Sequence, residues 1–144
     1  MSVQQRLKRT RRICSVEENR LNALIGKRNQ IDTQIQSCVE QIKQLIRQRD
    51  HETMLASRHP SLEQLTQTHV WIEGLDESIQ QQQSHKQELQ QQRDELQSEV
   101  LGQRTRVRGL EILVDQLQLA VKTEQQAEQF TLADENAIRD FAEG

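Results

Sequence analysis

The sequence of 144 residues is poor in aromatic side chains, with two Phe, one Trp and no Tyr, and it contains a single Pro. Only 33% of its residues are apolar, whereas 28% are charged. Compact domains of this length need more large apolar residues to fill a core. The composition therefore predicts a long helical assembly with a narrow core, which has no interior deep enough for a catalytic pocket.

Long apolar runs are also missing. No stretch approaches the roughly 18 apolar residues of a membrane span, and no apolar segment of a signal peptide follows the basic start. We therefore expect a cytoplasmic protein without membrane insertion. Cys14 and Cys38 lie on one predicted helix, about 36 Å apart by helical rise, which is too far for a disulfide. We expect both to be buried thiols.

The dominant pattern in the chain is a 4-3 repeat of apolar residues from Leu65 to Val121. Such a repeat forms the a and d positions of a coiled coil, because underwinding to about 3.5 residues per turn keeps the apolar stripe on one side. The same repeat covers residues 3–56 in a different frame. Between the two repeats, Pro60 interrupts the helical pattern. Ser61, with a glutamine three residues later, is typical of a helix start.

These patterns predict an all-α fold, a long two-helix antiparallel coiled-coil hairpin. The expected boundaries of this single domain, residues 1–144, are helix 1 at about 3–56, a turn at about 57–61, helix 2 at about 62–128, and an overhanging tail at 129–144. A parallel dimer of one continuous helix would carry Pro60 through its middle, at about 3 kcal/mol or more per chain.

A turn centred beside Arg58 also predicts which residues face each other. Leu7 should pack on Leu110, Leu21 on Leu96, and Leu45 on Ile72; a shift of one heptad in either direction is the formal alternative. Several a and d positions are polar. We expect the aliphatic part of these side chains to lie on the seam, the interface formed by the a and d positions of both helices, while their polar groups reach water. Such residues set the register at a cost in stability. They are Glu17, Arg28, Arg49, Glu52, Gln82, Lys86, Arg93 and Gln103.

Charge is distributed unevenly along the chain. Residues 1–28 hold eight Lys and Arg against two Glu, and residues 122–144 hold six acids against two bases. This asymmetry predicts charged partners at the ends of the hairpin. Basic residues before heptads are also the layout of a zipper-type DNA-binding region. However, such a region needs two parallel helices that diverge into the major groove, and an antiparallel hairpin cannot present them. The basic run also contains no Asn to contact an adenine edge. We therefore expect no nucleic-acid partner.

The tail carries an apolar helical face of its own, with Thr131 placed to cap a fresh turn. Helix 1 is too short to cover it, so we expect a partner-binding surface, although a floppy tail or a fold-back onto helix 1 stays open. Its residues are Phe130, Ala133, Ala137, Ile138 and Phe141.

A second candidate surface begins at the only tryptophan. Trp71, Leu75, Ser78 and Gln82 follow at spacings of four, three and four, as in a helix that docks into a groove. The alternative is that Trp71 merely covers the tip of the hairpin.

Catalytic and metal-binding motifs are absent from the sequence. His51, His59 and His69 gather around the turn, but no Cys or carboxylate spacing completes a tetrahedral site. No phosphate-binding loop or nucleophile motif occurs. We expect no enzymatic activity, no metal and no cofactor.

Two segments, Trp71 to Gln82 and Asp134 to Ala142, resemble the FliJ family of flagellar export. The basic opening, Arg6 to Arg12, is similar to the YscO (SctO) stalk proteins of virulence secretion. The resemblance implies a two-helix stalk in the pore of the hexameric type III secretion ATPase, which stimulates the ATPase and couples it to the export gate and secretion chaperones. It also implies a cytoplasmic location, peripheral at the inner-membrane export apparatus.

The resemblance further implies two contact surfaces. The export gate would contact Trp71, Leu75, Ser78 and Gln82. The ATPase ring would contact both charged ends, through Arg6, Lys8, Arg9, Arg11, Arg12, Phe130, Ile138 and Phe141. The alternative functions are a structural coiled-coil scaffold or tether, and a hairpin chaperone with no ATPase partner.

Overall fold

The structure, a computed structural model, describes residues 1–58 and 61–143. It consists of two helices, α1 (Val3–Ala56) and α2 (Leu62–Glu143), and no strand occurs in these ranges. The two helices pack against each other, which confirms the all-α hairpin. The predicted helix breaker Pro60 and the neighbouring His59 lie outside the described residues.

Both helices begin with a serine cap. The Ser61 hydroxyl accepts a hydrogen bond from the Gln64 amide at 3.2 Å, as the sequence predicts. At the start of α1, the Gln5 amide donates to the Ser2 hydroxyl, and the Gln5 side chain accepts from the Ser2 amide, both at 3.1 Å. This second cap is a full capping box, and it holds the basic opening of the chain in a helix.

The chain divides into two compact units. We call them the terminal unit, which contains Met1–Ala23 together with α2 from Val100 onward, and the loop unit, Leu24–Glu99. In each unit a segment of α1 packs on a segment of α2 along the predicted apolar seam. The buried side chains all belong to the predicted a and d columns: Leu7, Thr10, Cys14, Glu17, Val100, Val107 and Leu117 in the terminal unit, and Cys38, Ile42, Leu75, Ile79 and Leu89 in the loop unit.

Both cysteines are free and buried, as expected. Burial raises the pKa of the Cys14 thiol, and its hydrogen bond to Glu18 acts in the same direction. The Cys14 thiol is therefore protonated at neutral pH and serves as an apolar seam residue.

The predicted pairing of the two helices is wrong by one heptad. Three polar side chains of the loop unit show this by reaching across the seam: Arg28 bonds Gln97 at 3.0 Å, Arg93 bonds Asp32 at 2.8 Å, and Arg49 bonds Asp76 at 3.2 Å. Each partner on α2 lies about seven residues beyond the position that the predicted pairing would give it. In the terminal unit Glu17 pairs with Arg106, which lies six residues beyond the predicted position Val100.

Seam arginines explain the choice of register. In the predicted pairing Arg49 would face Thr68 and Arg93 would face Leu24, and no acid lies next to either of those positions. In the observed pairing each arginine meets an aspartate on the opposite helix. The observed register therefore gives both arginines an acidic partner across the seam, which the predicted pairing would not.

Glu17 departs from the expectation that polar seam heads reach water, since it is only 4% exposed. Its carboxylate accepts a hydrogen bond from Gln103 at 2.6 Å and lies 3.1 Å from Arg20 and 3.3 Å from Arg106. The Gln103 amide also donates to the Glu17 backbone carbonyl at 3.0 Å. The bond from Gln103, followed by the two positive charges, lowers the pKa of Glu17 although burial opposes this.

The observed register leaves both ends of α2 uncovered. Residues 61–67 are exposed beyond the end of α1, where Ala56 lies beside Gln64 and Leu65. At the other end Leu117 is buried and Val121 is half-buried, whereas every residue from 122 to 143 is exposed. Neither helix, within the ranges described, has a stretch apolar and long enough to cross a membrane.

Replacing Leu117 by Ala tests the register. Leu117 is 7% exposed because α1 reaches it, so we expect the variant to lose about 2 kcal/mol or more of unfolding free energy. In the predicted register Leu117 would lie past the start of α1 at Val3 and would be exposed. Leu119→Ala is the matched control, since Leu119 is 66% exposed and should change stability by no more than about 0.5 kcal/mol. Denaturant unfolding followed by circular dichroism measures both, and equal effects would contradict the observed register.

Replacing Glu17 by Gln tests the buried carboxylate. A lowered pKa means that the charge of Glu17 stabilises the fold at neutral pH, and that this stabilisation is lost as the pH falls below the ordinary glutamate range of about 4.3. We expect the wild type to be more stable than Glu17→Gln at pH 7, and the difference to shrink towards about pH 3. Glu124→Gln, an exposed acid of the same unit, should follow the wild-type pH profile. A constant difference between wild type and Glu17→Gln would refute the assignment.

Candidate functional site

The four residues predicted to contact an export gate separate into two groups. Trp71 is 52% exposed and Ser78 is half-buried, whereas Leu75 is 7% exposed and belongs to the seam. Gln82 is half-buried beside Gln41 and other polar residues of α1. Leu75 and Gln82 belong to the seam columns, whereas Trp71 and Ser78 do not, so only Trp71 and Ser78 point to a free surface.

A shallow groove of about 350 Å³ lies on α2 around Trp71. Its lining includes Leu75 and Ser78, two of the candidate contact residues, and three residues that sequence reasoning did not name: Gln67, Val70 and Gly74. Val70 is 63% exposed, so the groove offers two large apolar side chains to solvent. The sequence feature that could have identified the groove is the apolar pair Val70-Trp71 followed by a glycine one helical turn later.

Gly74 forms the floor of this groove. A Cβ atom at Gly74 would have no heavy atom within 4 Å, so the glycine is not required by packing against α1. Its missing side chain leaves the space between Trp71 and Ser78 open. The groove can therefore bind an apolar side chain of a partner without any movement of the helices.

Gln82 faces the opposite helix. It lines a polar depression with Gln44, Leu45 and Gln48, and its side-chain oxygen is buried without a hydrogen-bond partner among the described residues. The predicted gate contact at Gln82 therefore lies outside the Trp71 groove.

The basic residues predicted to contact an ATPase ring are all exposed: Arg6, Lys8, Arg9, Arg11 and Arg12. The ion pairs of the terminal unit involve Arg20, Arg106 and Arg108 instead. Within the described part of the chain the five side chains thus have no acidic partner, and they present a positive surface along the first three turns of α1.

The tail forms a bare continuation of α2 as far as Glu143. The Thr131 hydroxyl donates to the Ala127 carbonyl at 3.0 Å, so the expectation that Thr131 caps a fresh turn is wrong. Three predicted contact residues are fully available in this segment, with Phe130 73%, Ile138 70% and Phe141 90% exposed.

The aromatic face of the tail does not continue the seam. Phe130 lies nine residues beyond Val121, which is about two and a half turns at 3.6 residues per turn. Phe130 is therefore on the side of α2 opposite to the seam. An extension of α1 along its own axis would leave the aromatic face uncovered, and a partner must approach it from another side.

The basic residues and the aromatic tail belong to one unit but do not touch. The register puts Val3 opposite Val121, so the basic residues run beside α2 before the tail begins. Phe130 is then about 13 Å further along the helix. The two halves of the predicted ring contact are consecutive surfaces, available together to one large partner.

Histidines near the loop do not assemble a site. His69 pairs with Glu73 at 3.0 Å, one helical turn away, and His59 lies outside the described residues. No cluster of three or more metal-ligating side chains occurs in the ranges that the structure covers.

Comparison with models of protein families, with curated proteins and with solved structures finds no match for this chain.

Proposed function

We propose that this chain is the non-enzymatic stalk of a type III secretion ATPase. In this function the terminal unit inserts in the hexameric ATPase ring and stimulates hydrolysis. The Trp71 groove binds the export gate, so that the stalk couples the ATPase to the gate. Secretion chaperones are further partners. The location that follows is the cytoplasmic face of the inner-membrane export apparatus.

The observation that carries this proposal is the bare helix beyond Val121. A single helix is about 10–12 Å wide, roughly half the width of a helix pair, so residues 122–143 can enter a narrower channel than the paired seam. Exposed aromatic residues are typical anchors of protein interfaces, and Phe130 and Phe141 are both available. The basic start of α1 follows directly and adds charge contacts at the mouth of such a channel.

The asymmetry of these surfaces suits a ring of identical subunits. Six equivalent ATPase subunits would each meet a different part of one stalk, and the contact would change as the stalk turned. A contact that differs between conformational states shifts their populations, which is how a bound stalk can raise the rate of a slow step in hydrolysis.

The Trp71 groove supports a separate gate contact. It lies in the loop unit, whereas the proposed ring contacts lie in the terminal unit. Two partners can therefore be bound by different residues. Trp71, Val70 and Ser78 supply this contact in our proposal, and Leu75 contributes the groove wall while it holds the seam.

Stimulation of the ATPase tests the ring contact. We expect the chain to raise phosphate release by the purified hexamer at sub-stoichiometric amounts, and the effect to weaken with salt. Phe130→Ala combined with Phe141→Ala should weaken binding about tenfold or more, because exposed aromatics anchor the contact. Leu132→Ala is the control, since Leu132 is 58% exposed but lies on another side of the tail.

Failure of this assay would point to the alternatives. A chain that leaves hydrolysis unchanged would instead fit a scaffold or tether. Binding of unfolded protein through the phenylalanine face, with no effect on the ATPase, would fit a hairpin chaperone.

Filling the groove tests the gate contact. Gly74→Leu places a side chain in open space and removes a helix-destabilising glycine, so the fold should be kept or stabilised. We expect about tenfold or weaker binding to the purified cytoplasmic domain of the gate, measured by titration calorimetry, with unchanged ATPase stimulation. Gly102→Leu is the matched control, because its Cβ also meets nothing within 4 Å but lies in the other unit. Loss of both activities in Gly74→Leu would contradict separate contacts.

A further inference from the structure

A second stripe runs along α1 beside the seam. Its residues repeat at spacings of three and four, like those of the seam, and they combine positive charge with exposed apolar surface. They are Arg6, Arg9, Ile13, Val16 and Arg20, of which Arg20 is already paired with Glu17. Ile13 is 39% and Val16 51% exposed, so this stripe has the composition of a helix-binding face rather than of a solvated surface.

The tail carries a stripe of matching length, within a segment of opposite net charge. The residues Ala127, Phe130, Asp134, Ala137 and Phe141 again step by three and four. Residues 122–143 contain six acids and two bases, whereas residues 1–28 contain eight bases and two acids. An acidic segment with an aromatic stripe thus complements a basic segment with an aliphatic stripe, as two helices that pack together require.

The tail cannot reach the stripe of its own molecule. Helix α2 is continuous to Glu143, and the register makes residues 122–143 run onward past Val3, where α1 begins. A return to α1 would need a break in α2, and the structure has none after Leu62. The complementary surface must therefore come from another molecule.

We infer that this molecule is a second copy of the chain. Each copy carries both stripes, so one two-fold arrangement places the tail of each copy on the basic stripe of the other. The two contacts form together and cover Phe130, Phe141, Ile13 and Val16 in both copies. No other partner is needed to pair the surplus charge at the two ends of the chain.

This inference goes beyond the proposed function and does not require it. The two stripes include residues that would contact an ATPase ring, so the dimer hides them. A free stalk would then be a dimer, and binding to a ring would need its dissociation.

Sedimentation equilibrium of the full chain with reciprocal charge reversals tests the inference. We expect a dimer in low salt at about 100 μM protein, with association at least about tenfold weaker at roughly 0.5 M salt. Asp134→Lys with Asp140→Lys in the tail should give a monomer. Arg6→Glu with Arg9→Glu in the stripe should also give a monomer.

Mixing the two variants decides the matter. In the mixture the tail of the first variant, now positive, meets the stripe of the second variant, now negative. The unchanged stripe of the first variant meets the unchanged tail of the second, as in the wild type. Heterodimers should therefore form. Glu88→Lys with Glu95→Lys is the matched control: it changes the net charge as much as the tail variant does, on exposed acids of the loop unit, and should stay dimeric.

Three results would overturn the inference: a wild type that is monomeric in low salt, a tail variant that still dimerises, and a mixture that does not associate. Circular dichroism of each variant shows that the helices are intact. Because the assay contains no ATPase, its outcome is independent of the proposed function.

Discussion

Polar side chains that cross the seam determine how the two helices of this protein meet. An apolar 4-3 stripe packs almost equally well after a shift of one heptad, because leucines and isoleucines simply exchange neighbours. Arg93 is specific to one register, because its guanidinium lies 2.8 Å from Asp32 of the opposite helix. Arg49 likewise pairs with Asp76 in this register. These few directional contacts thus choose one register among several that hydrophobic packing tolerates.

The positions of the uncovered surfaces follow from this register. Where α1 begins beside Val121, α2 loses its partner and becomes a bare helix with exposed aromatic residues. Where α1 ends at Ala56, the start of α2 is left free, and the Trp71 groove follows a few residues later. A register seven residues earlier would have left Leu117 exposed as well. The proposed contacts therefore depend on the polar residues of the seam, although those residues touch no partner.

Much of the fold could be predicted from periodicity. The heptad columns identify the buried residues in both units, from Leu7 to Leu117, and the cap at Ser61 was visible as a serine followed by Gln64. The candidate contacts could be predicted only in part. Trp71 and Phe141 are exposed as a binding residue should be, whereas Leu75 and Gln82 face α1. Spacing alone cannot tell a free face from a seam when both repeat by three and four.

The sequence by itself determined that there are two helices, which side of each is buried, and where charge accumulates, because these properties depend on neighbours within a few turns. Only the tertiary structure decided the register. The register depends on which polar groups meet across the seam, at separations such as 69 residues between Arg28 and Gln97. Local pattern carries no information about such distant pairs, so the residue at which each uncovered surface begins had to come from the packed helices.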